Sequence, residues 1–205
     1  MKPAQLRAAE AGRDAKPRPQ GSFVIVEADA AHWPDFERLM TPKGGSGGCW
    51  CMLWRRPAGE KGSPAQNHAD AAALFSRGRA PGLLAYEGAL PVGWISVAPR
   101  AEFARLATSR ILHPVDAQEV WSVTCFFVAR THRRQGVTVA LLEAAGEFVR
   151  AQGGRVVEGY PIAPDCPDYP PVYAWVGLAK AFARAGFVEV ARRAPTRPIM
   201  RKYLS

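Results

Sequence analysis

One junction limits what this chain can fold into. Residues 120–128, Val-Trp-Ser-Val-Thr-Cys-Phe-Phe-Val, form its strongest strand signal, an apolar run rich in β-branched and aromatic side chains. A basic loop, Ala-Arg-Thr-His-Arg-Arg-Gln-Gly, then leads into a helical pattern over residues 135–152. Val137, Leu141, Ala144 and Phe148 recur there at i, i+4, i+7 and i+11, which is one apolar face. A strand feeding a one-faced helix of that length needs a sheet for the helix to pack against.

The rest of the chain supplies that sheet. Strands are expected at residues 22–27, at 83–87 and 92–97 as a hairpin about a Gly-Ala-Leu-Pro turn, and at 155–160, 187–190 and 198–203. Helices are expected after Asp29, a cap residue with Pro34 in the first turn, at 69–75, and at 176–185, closed by Gly186. One helical turn fits residues 102–106 of an otherwise irregular connection. Strands outnumber helices and hairpins stand at both ends, so the class is α/β (α+β) with a mixed sheet.

The chain has 205 residues, of which 48% are hydrophobic and 22% charged, the make-up of one ordinary globular domain. Residues 1–21 read as a flexible basic tail and residues 22–205 as the single domain. No apolar run approaches the ~20 residues of a membrane span. The start has no secretory h-region, so the expected compartment is the cytoplasm. The net charge of +9 gathers at the ends: residues 1–20 hold five basic and two acidic side chains, and residues 191–205 hold five basic and none acidic. The remaining 17 basic and 16 acidic residues nearly cancel. Basic ends on a near-neutral body read as solubilising tails, so no nucleic-acid partner is expected, and no membrane. Cys49, Cys51, Cys125 and Cys166 lack zinc-site spacing and read as plain thiols, so no metal is expected.

The junction also carries chemistry. A helix start offers unpaired amides and the positive end of the peptide dipole, which attract phosphate. Gly136 permits close approach of a ligand to the backbone, and Arg133 and Arg134 add fixed charge. The segment has neither the P-loop lysine signature nor the three-glycine dinucleotide fingerprint.

Arg133-Arg134-Gln135-Gly136-Val137-Thr138 resembles the Gln/Arg-x-x-Gly-x-Gly/Ala motif of the GNAT superfamily of acetyl-CoA-dependent N-acetyltransferases, with Thr138 in place of the last small residue. Ala181-Phe-Ala-Arg-Ala-Gly-Phe-Val-Glu-Val190 is similar to that family's last helix, Gly-Phe turn and next strand. The resemblance spans roughly residues 22–203. It implies a mostly antiparallel central sheet flanked by helices, with strands parting at the cofactor site. It further implies acetyl-CoA as co-substrate, with Phe126, Phe127 and Val128 along the pantetheine arm and residues 133–138 at the pyrophosphate.

The family often draws a proton for the leaving thiolate from a Tyr in the final helix, and the matching position here is Phe182. Tyr160 is the favoured substitute, Tyr173 the second, and Tyr169 a further one. Glu158 shares the strand face of Tyr160, so it is either a base for the incoming ammonium or the partner of an arginine. Ser122 and Thr124 share one strand face and Cys125 lies on the other, by simple alternation. Trp50 and Trp54 either form an acceptor wall or plug the core. The expected activity is direct acetyl transfer to a primary amine of a small molecule or peptide, and a homodimer is compatible with it. The alternative is a non-catalytic acyl-CoA-binding module.

Overall fold

The computed structural model describes residues 23–41, 45–163 and 175–205. Its elements in chain order are β1 (Val24–Glu27), α1 (Trp33–Met40), α2 (Pro64–Phe75), β2 (Gly82–Glu87), β3 (Leu90–Pro99), α3 (Ala104–Ala107), β4 (Trp121–Val128), α4 (Val137–Ala151), β5 (Val156–Gly159), α5 (Ala179–Arg184), β6 (Val188–Arg192) and β7 (Pro198–Tyr203). The seven strands make one sheet in the order β1-β2-β3-β4-β5-β7-β6. Every pairing is antiparallel except β4 with β5. The mixed, mostly antiparallel sheet is therefore present, and α4 is the crossover between its one parallel pair.

Side chains alternate across the sheet and divide the core. Leu83, Ile95, Val123 and Phe126 face a cluster built with α4 and α5. Leu84, Trp94 and Cys125 face a second cluster built with α1 and α2. The apolar stripe of α4 is broader than expected: Val137, Leu141, Leu142, Ala145, Phe148 and Val149 are buried, and Ala144 is only half-buried at its border. Helix α2 starts at Pro64 rather than residue 69. Ser63 caps it by accepting the Gln66 N–H at 3.1 Å, and Pro64 suits a first-turn position. Helix α5 starts only at Ala179, because Gly177 is left-handed (φ +82°) and Leu178 bridges to Ile162. It ends as expected on Gly186 (φ +85°), with the Phe187 N–H donating back to Phe182 O at 3.0 Å.

The C-terminal basic stretch is not a tail. Strand β7 lies between β5 and β6, and Arg201 within it is 1% exposed. The reading of residues 191–205 as a solubilising end fails because Arg201 has carboxylate partners inside the fold. Residues 1–21, Tyr169, Tyr173 and Cys166 lie outside the described residues.

Candidate active site

Between β4 and α4 the chain makes a short, tightly held loop. The 3-10 turn Arg130–His132 buries His132, whose ring nitrogens meet Thr131 Oγ1 at 2.8 Å and Glu87 Oε2 at 3.1 Å. That pins the loop to the β2–β3 hairpin. The Gln135 amide donates to Thr131 O at 2.8 Å and braces the loop from within. Arg134 (φ +61°) and Gly136 (φ +88°) both take left-handed backbone. Such a φ costs a non-glycine residue about 1–2 kcal/mol, so the hydrogen-bonded loop around His132 and Gln135 must hold Arg134 there. Gly136 caps α4 with no side-chain bond, and no acidic residue stands in the first turn. The first intrahelical donors to Gly136 O are Val139 and Ala140, which leaves the Val137 and Thr138 amides without an intrahelical acceptor. A Cβ at Gly136 would meet nothing within 4 Å. The result is an open cradle of amides flanked by the exposed Arg133 and Arg134.

Next to that cradle the sheet parts. Strands β4 and β5 pair at three positions only, from Trp121 with Val157 to Val123 with Gly159. The chain then turns away: the Ile162 N–H donates to Gly177 O at 3.0 Å, and the Ala179 N–H to Ile162 O at 2.9 Å. Among the described residues no strand lies against the β5 side of residues 124–128. Phe182 fills the floor of this wedge. It is fully buried, edge-on to Phe126 and Phe187, and so close to Gly159 that a Cβ there would come within 2.2 Å of its ring.

A bulge in β4 alters the expected faces. Ser96 pairs with Cys125 and Val97 with Val123, so Thr124 is an extra residue. Because Ser96 and Ala98 share a face, Cys125 shares the face of Ser122, contrary to simple alternation. Cys125 Sγ lies 3.1 Å from Cys51 Sγ, and that contact, first among several causes, pushes the Cys51 thiol well up. Thr124 is 1% exposed, and its hydroxyl has no partner among the described residues.

Below the wedge lies a buried polar cluster. The Tyr160 hydroxyl donates to Glu158 Oε1 at 2.7 Å and accepts from Arg100 Nη1 at 2.5 Å, with Ser122 Oγ at 2.8 Å. Glu158 also accepts from Arg201 Nε at 2.8 Å and Arg100 Nη1 at 3.1 Å, and Arg201 is clasped on its other side by Asp116. Burial, and then the Glu158 charge, push the Tyr160 phenol well above its usual range. Tyr160 and Glu158 do share a face, as expected. Glu158, however, is 1% exposed with both oxygens engaged, so the arginine-partner reading describes it and the free-base reading does not. Sequence reasoning missed Arg100, Asp116 and Arg201. The available signal was an arginine following Ile199 and Met200 in a strand pattern.

The two tryptophans separate. Trp50 is buried among Trp33, Phe36 and His68, so it plugs the core and forms no acceptor wall. Trp50 (φ +47°) and Cys51 (φ +58°) turn the segment sharply. Trp54 emerges half-buried against Trp175, beside the cluster that contains Tyr160, and its indole N–H lacks a partner among the described residues.

A family model described as the acetyltransferase (GNAT) family matches residues 49–160, more than half of the chain. The chain belongs to the GNAT acetyltransferase family. No curated protein matches it. Among solved structures, the GNAT domain of S. lividans PAT is 17% identical with a TM-score of 0.54, covering 88% of this chain and 89% of that one. The Listeria monocytogenes GNAT acetyltransferase is 12% identical with a TM-score of 0.53, covering 89% and 95%. The yncA structure from Salmonella typhimurium, which holds its cofactor acetyl-CoA, is 14% identical with a TM-score of 0.52, covering 90% and 95%. These likenesses show the GNAT fold, and the family uses acetyl-CoA as its acyl donor. The open cradle at Gly136 and the acid-free first turn of α4 fit that donor's diphosphate. No described helix is long and apolar enough to cross a membrane, and among the described residues no group of His, Cys, Asp and Glu could hold a metal.

Proposed function

We propose that this GNAT protein moves an acetyl group from acetyl-CoA directly to a primary amine of a small molecule or peptide. The observation that carries the reading is the parting of β4 from β5 immediately beside the glycine-capped start of α4. In this reading the Val137 and Thr138 amides, Gly136, Arg133 and Arg134 hold the diphosphate. The backbone edge at Phe126, Phe127 and Val128, whose last carbonyl accepts from Arg133 Nε at 3.3 Å, takes the pantetheine arm. Bound there, acetyl-CoA supplies an activated acyl group.

The chain's own residues then manage protons. Tyr160 is the proton donor of this reading: burial keeps its phenol protonated, and delivery requires the hydroxyl to rotate its proton from Glu158 onto Ser122. Ser122 touches its oxygen and extends the path towards β4. Glu158 orients Tyr160 and balances Arg100 and Arg201. Thr124 offers its unpartnered hydroxyl at the bulge, and Trp54 with Trp175 borders the acceptor side. Tyr173 is the second donor candidate.

Phe182, with no hydroxyl and packed in the core, favours a second reading as a non-catalytic acyl-CoA-binding module. Release of CoA thiol against a panel of amines separates the two. Turnover on at least one amine supports the transferase; tight acetyl-CoA binding with no turnover on any supports the module.

A further inference from the structure

Outside the cradle and the wedge, the molecule has a cleft of about 420 Å³ lined by Met52, Arg55, Arg56, Asp70, Arg77 and Glu102. Its volume is in the range of small-ligand sites. Its charge is unbalanced. Glu102 is shared by Arg55, at 2.7 Å, and Arg79, while Asp70 accepts from Arg56 at 2.5 Å. Four guanidiniums thus meet two carboxylates. Among the described residues the Arg77 guanidinium makes no hydrogen bond or ion pair. Arg55 has a side chain only 7% exposed, over the Phe103 ring at 4.7 Å, and its Nη2 has no acceptor among the described residues. Burial, then the charges of Arg77 and Arg79, lower Arg55 to about 10 despite its bond to Glu102, the response of a desolvated cation beside like charges. An arginine group with spare donors and surplus charge recognises a planar or tetrahedral oxyanion.

We infer that the cleft of Arg55, Arg56 and Arg77 binds a phosphate or carboxylate group. Sequence neighbours link the cleft to the polar cluster below the wedge. Arg55 follows Trp54, which borders the Tyr160 cluster, and Glu102 stands two residues from Arg100, which bonds Tyr160. The anion is therefore either the acidic end of the amine acceptor or a free anion that modulates transfer. The first source rests on the acetyl-transfer reading; the binding itself does not.

Inorganic phosphate is titrated against melting temperature on two backgrounds in which the α4 cradle is closed, Gly136→Glu and CoA-saturated wild type. A saturable rise is expected on both, and adding Arg77→Gln, an exposed position, should shift half-saturation about tenfold. No rise on either background, or a rise that Arg77→Gln leaves unchanged, overturns the site. Turnover of phosphoethanolamine and ethanolamine separates the sources. An acceptor-borne anion gives the phosphorylated amine a lower KM that Arg77→Gln raises; a free anion changes ethanolamine turnover on addition of phosphate, and Arg77→Gln abolishes the change. A protein inactive on both amines counts against the transferase reading, while the titration still decides the cleft.

Discussion

Tyr160 has one proton and three polar neighbours, and its hydroxyl geometry gives that proton to Glu158. Tyr160→Phe removes the proton and leaves Arg100 and Glu158 each one bond short. Turnover should fall about 10²-fold or more, with acetyl-CoA affinity unchanged within about twofold, as measured by steady-state kinetics and calorimetry. Stability should fall by about 1–3 kcal/mol in urea unfolding. Glu158→Gln distinguishes a buried ion-pair member from a base. Removing its charge strands Arg100 and Arg201 and should cost about 3–5 kcal/mol, whereas a free base would lose turnover with its stability intact. Asp116 adds a pH dependence. Its bond to Arg201 holds its carboxyl below the usual value, so its contribution is present above that value and lost as pH falls through the lower, folded one. Asp116→Asn should therefore flatten the fall in melting temperature below about pH 4, with little change in slope at neutral pH.

At the scale of elements, the start of α4 and the end of β5 do most to position the site. Gly136→Glu places a carboxylate where the helix dipole and two arginines favour an anion, on a backbone that penalises any side chain. Acetyl-CoA affinity should drop by about a hundredfold or more, read by calorimetry. This element was legible in the sequence because strand, loop and helix are consecutive, and local pattern alone specifies them. The bulge at Thr124 was not legible, since it exists only in the register of β4 against β3. The fate of Trp50 was equally hidden. Aromatic side chains behind glycines suit a pocket or a core, and the partners that decide it, Trp33, Phe36 and His68, come from α1 and α2.

For the whole molecule, the mixed sheet followed from counting strands and hairpins, but its order did not. Inserting β7 between β5 and β6 brings Arg201 beside Glu158, residues 43 apart in sequence. Charge counting along the chain had assigned Arg201 to a solvated end. We propose that residues 22–205 carry the acetyltransferase domain and that residues 1–21 add nothing to its stability. Deleting residues 1–21 should leave the melting temperature unchanged within about 1 °C by calorimetry, well inside the shift that ~1 kcal/mol produces. The central claim is that α4 and the β4–β5 wedge together hold the acyl donor. A crystal structure grown with acetyl-CoA tests it most directly. The account predicts the diphosphate on the Val137 and Thr138 amides and the thioester between residues 124–128 and Tyr160; a diphosphate bound elsewhere, or an empty wedge at saturating acetyl-CoA, would contradict it.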